Sequence, residues 1–371
     1  METMSNQINE IQLSGDWHSM GVELGRRQAE EIRAFNERFF FSSMGAVRFG
    51  SLDRVWEFAG RVLTYTRSYS SNWVDFITGV AEGASLPLDQ VVAQNFLPEL
   101  THVTEPAHLE GLGCTAAYVS AESSATRSAF VFQNWDFNIE LPQWYVLKLF
   151  PPLDEPSLMV VGAGSLFACC GLSSMGLAVT FTASGHLPNL RIQKGVPLVA
   201  TLIEVLSCPG FQEALAVAAA PRRAGAYNML IADEYTHGAV IEAAPDCTEI
   251  IEGGSVLVSG NHFQHPEMIS WVYQELEPED APRREFADST VFRTNRLAGM
   301  LDAHRQTGID LALIRQCLSD HENKPFSICA HAEKTILGFA TRGSMILEPA
   351  QRTLHFCSVK PCEGEFSRFD L

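Results

Sequence analysis

The chain has 371 residues, 46% of them hydrophobic and 19% charged, enough for one large domain with a sizeable core and too apolar for intrinsic disorder. Acidic residues outnumber basic ones 44 to 26, a formal charge of −18. That excess repels phosphate backbones and anionic lipid, which excludes nucleic-acid and membrane-surface binding as general functions.

From Met1 to Asp16 there is neither a basic region nor an apolar run, so no secretory signal is read there. The first hundred residues read as helices. Met20, Leu24, Ile32, Phe35 and Phe39 make one apolar stripe. Leu52, Val55, Trp56, Ala59, Val62 and Leu63 make a second, with Ser51 as its N-cap. Trp73, Phe76, Ile77, Val80 and Ala81 make a third, between Asn72 as start and Gly83 as stop, and Leu88, Val91 and Val92 open a fourth after Pro87.

From about residue 114 the texture changes to short β-branched and aromatic runs bounded by turn residues. Strands are predicted at 114–120, 129–132, 144–150, 159–161, 177–182, 228–232, 239–242 and 256–258, and again at 335–340 and 353–356. Helical patterns interrupt them at Leu198–Leu206, Phe211–Ala218, Val291–Leu301 and Leu311–Leu318. Pro156 to Leu190 carries no charged side chain, but its glycines and serines break it into strands rather than a membrane span. Helices first, then many strands with helical interludes, predict an α+β fold whose sheets are covered by helices.

The nine cysteines are an odd number, with one adjacent pair, Cys169 and Cys170, and no CxxC. Reduced thiols in a cytoplasmic protein are expected rather than a disulfide framework. The C-terminal Phe369-Asp370-Leu371 matches no lipidation or peroxisomal ending. Gly162-Ala-Gly164 lacks the third glycine of a dinucleotide loop, and Gly171 to Gly176 misses the nucleophile-elbow spacing by one residue. His262 with His265, and Cys329 with His331, offer two ligands each. Two ligands do not make a site, so no metal is expected.

The informative stretch is Gly111-Leu-Gly113-Cys114-Thr115, followed by Gln133-Asn134-Trp135-Asp136-Phe137. On composition alone Cys114 is a small hydrophobe opening a strand, and Asp136 a hairpin charge. Yet Cys114 stands where helices give way to strands, directly after a glycine, and a hairpin would return the Asp136 carboxylate towards it. With Gly176-Leu-Ala-Val179, Ser259-Gly260-Asn261-His262-Phe263, Asp288-Ser289, Arg293, Arg296 and Lys360-Pro361-Cys362-Glu363, the chain resembles the penicillin acyltransferase-like branch of the N-terminal-nucleophile hydrolases, peptidase family C45. Gly79-Val-Ala-Glu-Gly83 fits that family's N-terminal part.

The resemblance implies a four-layer αββα sandwich and a precursor that cuts itself between Gly113 and Cys114. Residues 1–113 become a helical small subunit, and 114–371 a catalytic subunit that begins with its nucleophile. It also implies that Cys114 attacks an amide or thioester carbonyl, that Asp136 orients the freed α-amino group, and that Asn261 donates its side-chain NH₂ to the oxyanion. An α-amine with a pKa of about 7.7–8.0 can act as the base without a histidine. Arg293 and Arg296 share a helix face and are candidates for a substrate carboxylate, or for solvent. Related bile-salt hydrolases carry arginine where this chain has Gln133.

No organic cofactor is implied, although a coenzyme A thioester can serve as acyl donor. The implied partners are a small acyl amide or donor, an amine acceptor, and the chain's own cleaved N-terminal segment as a heterodimer, with no nucleic acid and no membrane. Two alternatives stand beside this reading. One is a hydrolase of small N-acyl amines or aminoacyl conjugates that performs no transfer; the other is an unprocessed, inactive homologue that binds a ligand.

Overall fold

The computed structural model describes residues 8–41, 51–96, 99, 113–137, 143–166, 168–184, 195–220, 222–275, 281–332 and 339–371. Strand β1 (Asn9–Ser14) leads into α1 (Trp17–Phe39), α2 (Leu52–Thr66), α3 (Ser71–Ala84) and α4 (Leu88–Asn95). A run of strands follows: β2 (Gly113–Val119), β3 (Phe130–Phe137), β4 (Tyr145–Phe150), β5 (Leu158–Gly162), β6 (Cys170–Ser173) and β7 (Ala178–Ala183). Helices α5 (Leu198–Leu206) and α6 (Phe211–Ala219) precede β8 (Tyr227–Ala232), β9 (Gly238–Ala243), β10 (Thr248–Glu252) and β11 (Val256–Ser259). The chain ends with α7 (Pro266–Glu275), α8 (Ala281–Asp302), α9 (Leu311–Leu318), β12 (Ala340–Glu348), β13 (Thr353–Cys357) and β14 (Ser367–Asp370).

These strands form two sheets. One has eight strands in the order β1-β4-β5-β6-β7-β8-β9-β10; the other has six, β11-β2-β3-β12-β13-β14. Strands β2 and β3 face β7 and β8 across the gap between the sheets, α5 and α6 lie against the eight-stranded sheet, and α8 and α9 against the six-stranded one. The layering is therefore helix, sheet, sheet, helix, the αββα sandwich. A strand between two covered faces must be apolar on both sides. Every residue of β2, β3 and β5 to β9 is accordingly buried, polar ones included.

The predicted helices at 198–206 and 311–318 are found at those bounds. Strand β3 runs five residues beyond its predicted end at Phe132, because its continuation Gln133-Asn134-Trp135-Asp136 is too polar to read as a buried strand. Five strands lack a full counterpart in the pattern. Strand β1 shows only Ile11 and Leu13 to the core, and β6, β10 and β14 have four or five residues. Strand β12 is the predicted strand at 335–340 displaced: residues 335–338 lie outside the described residues, and pairing runs from Ala340 to Glu348. The N-terminal segment thus contributes a strand as well as helices, since β1 pairs in parallel with β4, from Asn9 opposite Tyr145 to Ser14 opposite Phe150.

Gly83 does not end α3. The helix continues to Ala84 and closes on Ser85 in the left-handed conformation, φ 54°, while Ser70 rather than Asn72 caps its start by accepting from Trp73 N at 3.2 Å. The glycine is needed for packing. Gly21 and Gly25 on α1 meet Gly79 and Gly83 on α3 so closely that a Cβ on Gly21 would strike the Phe76 carbonyl, one on Gly25 that of Val80, one on Gly79 that of His18, and one on Gly83 that of Val22. The two backbones touch, as in the small-xxx-small helix pairs of membranes. Among the described residues no helix is long and apolar enough to cross a membrane. Gly79→Ala should lower stability by about 1–3 kcal/mol, the usual cost of overpacking. Gly60→Ala, on α2 with open space around it, should be neutral or stabilising by up to about 1 kcal/mol. Urea denaturation midpoints of the two variants check both.

Candidate active site

Antiparallel pairing of β2 with β3 sets Gly113 opposite Asp136 and Cys114 opposite Trp135. Side chains alternate across a strand. Cys114, Ala116, Tyr118 and Trp135 therefore belong to the core between the sheets, whereas Ala117, Val119, Phe130 and Phe132 pack beneath α8 and α9. Asp136 has the parity of the second set. The hairpin does return the carboxylate to the cysteine, but to its backbone side: the thiol and the carboxylate stand on opposite faces of the same strand pair.

Asp136 is fully buried. Its Oδ1 accepts from Thr341 Oγ1 at 2.6 Å. Its Oδ2 accepts no hydrogen bond among the described residues, although Arg293 Nη1 stands 3.5 Å away. A Cβ at Gly113 would lie 2.7 Å from that same Oδ2, so position 113 admits no side chain while the carboxylate stays in place. Burial pushes the Asp136 pKa up to about 6; Arg293 and Thr341 pull it back. Thr341 is aimed by a bulge in β12, where the pairing with β3 shifts between Thr341 and Gly343, a device common beside active sites.

Asn261 follows β11 and Gly260. Its Oδ1 accepts from the Cys114 N–H at 2.8 Å, and its Nδ2 donates to the Ala183 carbonyl at 2.8 Å. Its own N–H donates to Thr290 Oγ1 on α8 at 2.7 Å. Asn228 Nδ2 holds the neighbouring carbonyls of Gly260 and His262, at 2.9 and 3.1 Å. Gly260 is glycine because a Cβ there would lie 2.6 Å from both Thr290 Oγ1 and Thr294 Cγ2. Asn261 is thus held by both sheets and by the helix.

Arg293 projects from α8 into this cluster with no exposed surface. Nη1 donates to the Cys114 carbonyl at 2.7 Å and to Thr115 Oγ1 at 2.6 Å, and Nη2 donates to Asn261 Oδ1 at 2.9 Å. Arg296, one turn on, is partly exposed and pairs with Asp320 at 2.8 Å. The two arginines that share a helical pattern therefore have different surroundings, one in the interior and one at the surface.

The Cys114 thiol is fully buried. Burial, with the Asp136 charge second, pushes its pKa up to about 12; the Ala183 N–H, Arg293 and the Gln133 side chain act in the opposite direction. Gln133 is itself held from the other sheet, with Nε2 donating to the Phe181 carbonyl and Oε1 accepting from Thr180 Oγ1. Ala183, Thr341 and Gln133 were not among the candidate residues. A small apolar residue and a lone threonine carry no sequence signal, and only Gln133 stood out, as a departure from arginine.

His262 is not grouped with His265 as a ligand pair. Its Nδ1 meets Thr290 Oγ1 at 3.1 Å, and burial, then Arg293, lowers its pKa to about 4. His265 Nε2 lies 3.8 Å from Glu249. Cys329 and His331 do converge, together with His321 and Cys362.

Removing one partner of a buried ion pair leaves an uncompensated charge. Arg293→Ala should therefore lower stability by about 3–5 kcal/mol. Arg293→Lys should recover only part of that, because an ammonium lacks the planar fork that reaches three acceptors at once. Arg293→Ala combined with Asp136→Asn should cost less than the sum of the two single changes; urea unfolding of the four proteins measures the coupling.

No curated protein sequence gives a significant match. Among solved structures, a cysteine-to-alanine mutant of conjugated bile acid hydrolase from Clostridium perfringens is similar at 12% identity and a TM-score of 0.48, covering 70% of this chain and 92% of that one. An arginine-to-leucine variant of the same hydrolase gives 11% and 0.45, over 70% and 97%. Penicillin V acylase from Agrobacterium tumefaciens gives 13% and 0.40, over 66% and 82%. The family model for acyl-coenzyme A:6-aminopenicillanic acid acyl-transferase matches residues 122–362, a span that starts beyond Cys114 and takes in Asp136, Asn261 and Arg293. With more than half of its length in that match, the chain belongs to the acyl-coenzyme A:6-aminopenicillanic acid acyl-transferase family of N-terminal-nucleophile hydrolases.

Proposed function

We propose that the chain is an autoprocessed N-terminal cysteine amidohydrolase or acyltransferase, cut between Gly113 and Cys114 into segments 1–113 and 114–371. The observation that carries this reading is the buried Asp136 Oδ2. It accepts no hydrogen bond among the described residues and lies beside Gly113, while Asn261 Oδ1 grips the Cys114 N–H. A carboxylate oxygen buried without a donor is costly. A cut at this bond would release the Cys114 α-amine beside it, a group with N–H donors to spare.

In processing, the Cys114 sulfur attacks the Gly113 carbonyl carbon. The C–N bond breaks as the thiol proton passes to the departing amine, and the resulting thioester is hydrolysed by water. The products are a Gly113 carboxylate and a free α-amine on Cys114. That amine then serves as the base for the neighbouring thiol, the arrangement of N-terminal nucleophiles generally. Asp136 and Asn261 hold the amine from two sides, and Arg293 fixes the Cys114 carbonyl and the Asn261 oxygen.

In turnover, the sulfur attacks a substrate acyl carbon, the leaving amine takes the thiol proton, and a thioester acyl-enzyme forms. The Ala183 N–H and the Asn261 side-chain NH₂ stabilise the oxyanion. Water or a second amine then accepts the acyl group and restores the thiol. The chain's net charge of −18 and the absence of a basic run in its sequence argue against a built-in site for coenzyme A phosphates, so hydrolysis is the basal outcome.

A denaturing gel tests the cut. The protein should resolve into pieces of about 12 and about 28 kDa, from residue counts at about 110 Da each, with Cys114 at the start of the larger piece by N-terminal sequencing. Cys114→Ala should remain whole at 40.9 kDa. Intact chain in a fully active preparation would sink the mechanism. Partition of the acyl group is read by mass spectrometry of products from one acyl amide with a panel of amines. Free acid should dominate until a cognate amine is present, whereas an acylated amine dominating throughout would make the enzyme a transferase.

A further inference from the structure

On the far side of Thr341 from Asp136, the loop after α9 meets the turn between β13 and β14. There His321, Cys329, His331 and Cys362 each turn one ligand atom inward, and those four atoms all lie within 4.8 Å of one another. His321 Nε2 and His331 Nε2 are 3.2 Å apart. Cys329 Sγ lies 3.6 Å from His331 Nε2 and 3.5 Å from Cys362 Sγ, and Cys362 Sγ lies 3.4 Å from His331 Nε2.

Four of the six ligand separations match the edges of a metal tetrahedron. With zinc bonds of about 2.05 Å to nitrogen and about 2.3 Å to sulfur, tetrahedral geometry puts N···N at about 3.3 Å, N···S at about 3.5 Å and S···S at about 3.8 Å. Each of the four measured separations falls within about 0.3 Å of its counterpart. The ligands are also held in place by their backbones. Cys329 N donates to the Asp320 carbonyl at 3.0 Å and His331 N to the Pro325 carbonyl at 2.9 Å. Ser327 Oγ donates to the Cys329 carbonyl at 2.6 Å. Cys362 sits in a turn closed by Glu363 N and Gly364 N on the Lys360 carbonyl, at 2.9 and 3.1 Å.

We propose that His321, Cys329, His331 and Cys362 bind one zinc ion in a closed Cys₂His₂ site that ties the loop at 320–332 to the C-terminal turn. Two thiolates and two neutral imidazoles balance the ion's double charge, and each thiol releases one proton on binding. All four positions are filled by protein, so the ion is structural and has no open position for substrate or water. Its loop touches the support of the active site at Thr341. Ala330, between Cys329 and His331, donates its N–H to Thr341 Oγ1 at 2.9 Å and accepts from Thr341 N at 3.2 Å, and Thr341 Oγ1 donates to Asp136 Oδ1. The ion therefore holds the support behind Asp136.

The test uses the full chain, purified under reducing conditions, loaded with zinc and freed of unbound metal. Elemental analysis should find one zinc per chain in the wild type, the same in Cys114→Ala, and close to none in Cys362→Ser or His331→Ala. Retention in Cys114→Ala separates this site from the catalytic reading. Cys362 is exposed, so its serine variant should fold, and far-UV circular dichroism checks that it does. Cobalt(II) added to metal-free wild type should give the visible bands of a tetrahedral ion with a thiolate charge-transfer band, and Cys362→Ser should show neither. Wild type that takes up neither metal, unchanged zinc content in Cys362→Ser, or a Cys329–Cys362 disulfide in the reduced preparation would each overturn the proposal.

Discussion

Arg293 carries a positive charge with no exposed surface, and such a charge is tolerated only where the surrounding atoms are arranged to receive it. Here the Cys114 carbonyl, Thr115, Asn261 and Asp136 receive it. These groups come from the start of β2, from the end of β3 and from the second residue after β11, while the arginine comes from α8. The burial cost of the arginine is thus offset only when β11, β2 and β3 are paired and the helix is docked on them. Burial lowers its pKa; Asp136 and the Cys114 thiol pull in the opposite direction. The same network places the backbone N–H of Cys114, so the contacts that stabilise the interior also position the proposed nucleophile.

The two faces of β2 divide the chemistry. The thiol lies between the sheets among apolar neighbours, against the Ala183 N–H and Gln133. The carboxylate and the guanidinium lie on the side covered by α8. Even from the opposite face the Asp136 charge raises the thiol pKa, second only to burial. From there its Oδ2 stands beside Gly113, while the Cys114 N–H donates to Asn261 Oδ1. The four-layer architecture makes this division available, because a strand covered on both sides offers two separate dry environments one residue apart.

The N-terminal segment is joined to the rest by contacts that do not depend on chain continuity at residue 113. Strand β1 lies in the eight-stranded sheet beside β4, and α1 and α3 pack backbone to backbone across four glycines. Parallel pairing and apolar burial of this extent would keep a cleaved segment bound. At the other end of the chain, the Cys329 to His331 loop and Cys362 meet behind Thr341, so the support of Asp136 draws on residues spread over more than two hundred positions of sequence.

Legibility followed the range of the interactions. Helices α5 and α9 were readable to the residue because an amphipathic stripe is a local property, set by side chains three and four apart. The long β3 was half-readable, since the polar Gln133-Asn134-Trp135-Asp136 breaks the apolar run that signals a buried strand. Position in the chain drew attention to Cys114 and Asp136, but family likeness was needed to give them and Asn261 roles, as each has an ordinary reading by itself. Arg293 had two readings, Cys362 counted only as part of a family-like ending, and Thr341, Ala183 and His321 had none. The sequence by itself determined the order of elements, the α+β class, the excess of acid and the family. Only the tertiary structure decided which face of β2 each reactive group occupies, that Arg293 is interior while Arg296 is not, and that two cysteines and two histidines converge. These depend on pairing register and on contacts between residues far apart in the chain, and no local pattern encodes a distance between such residues.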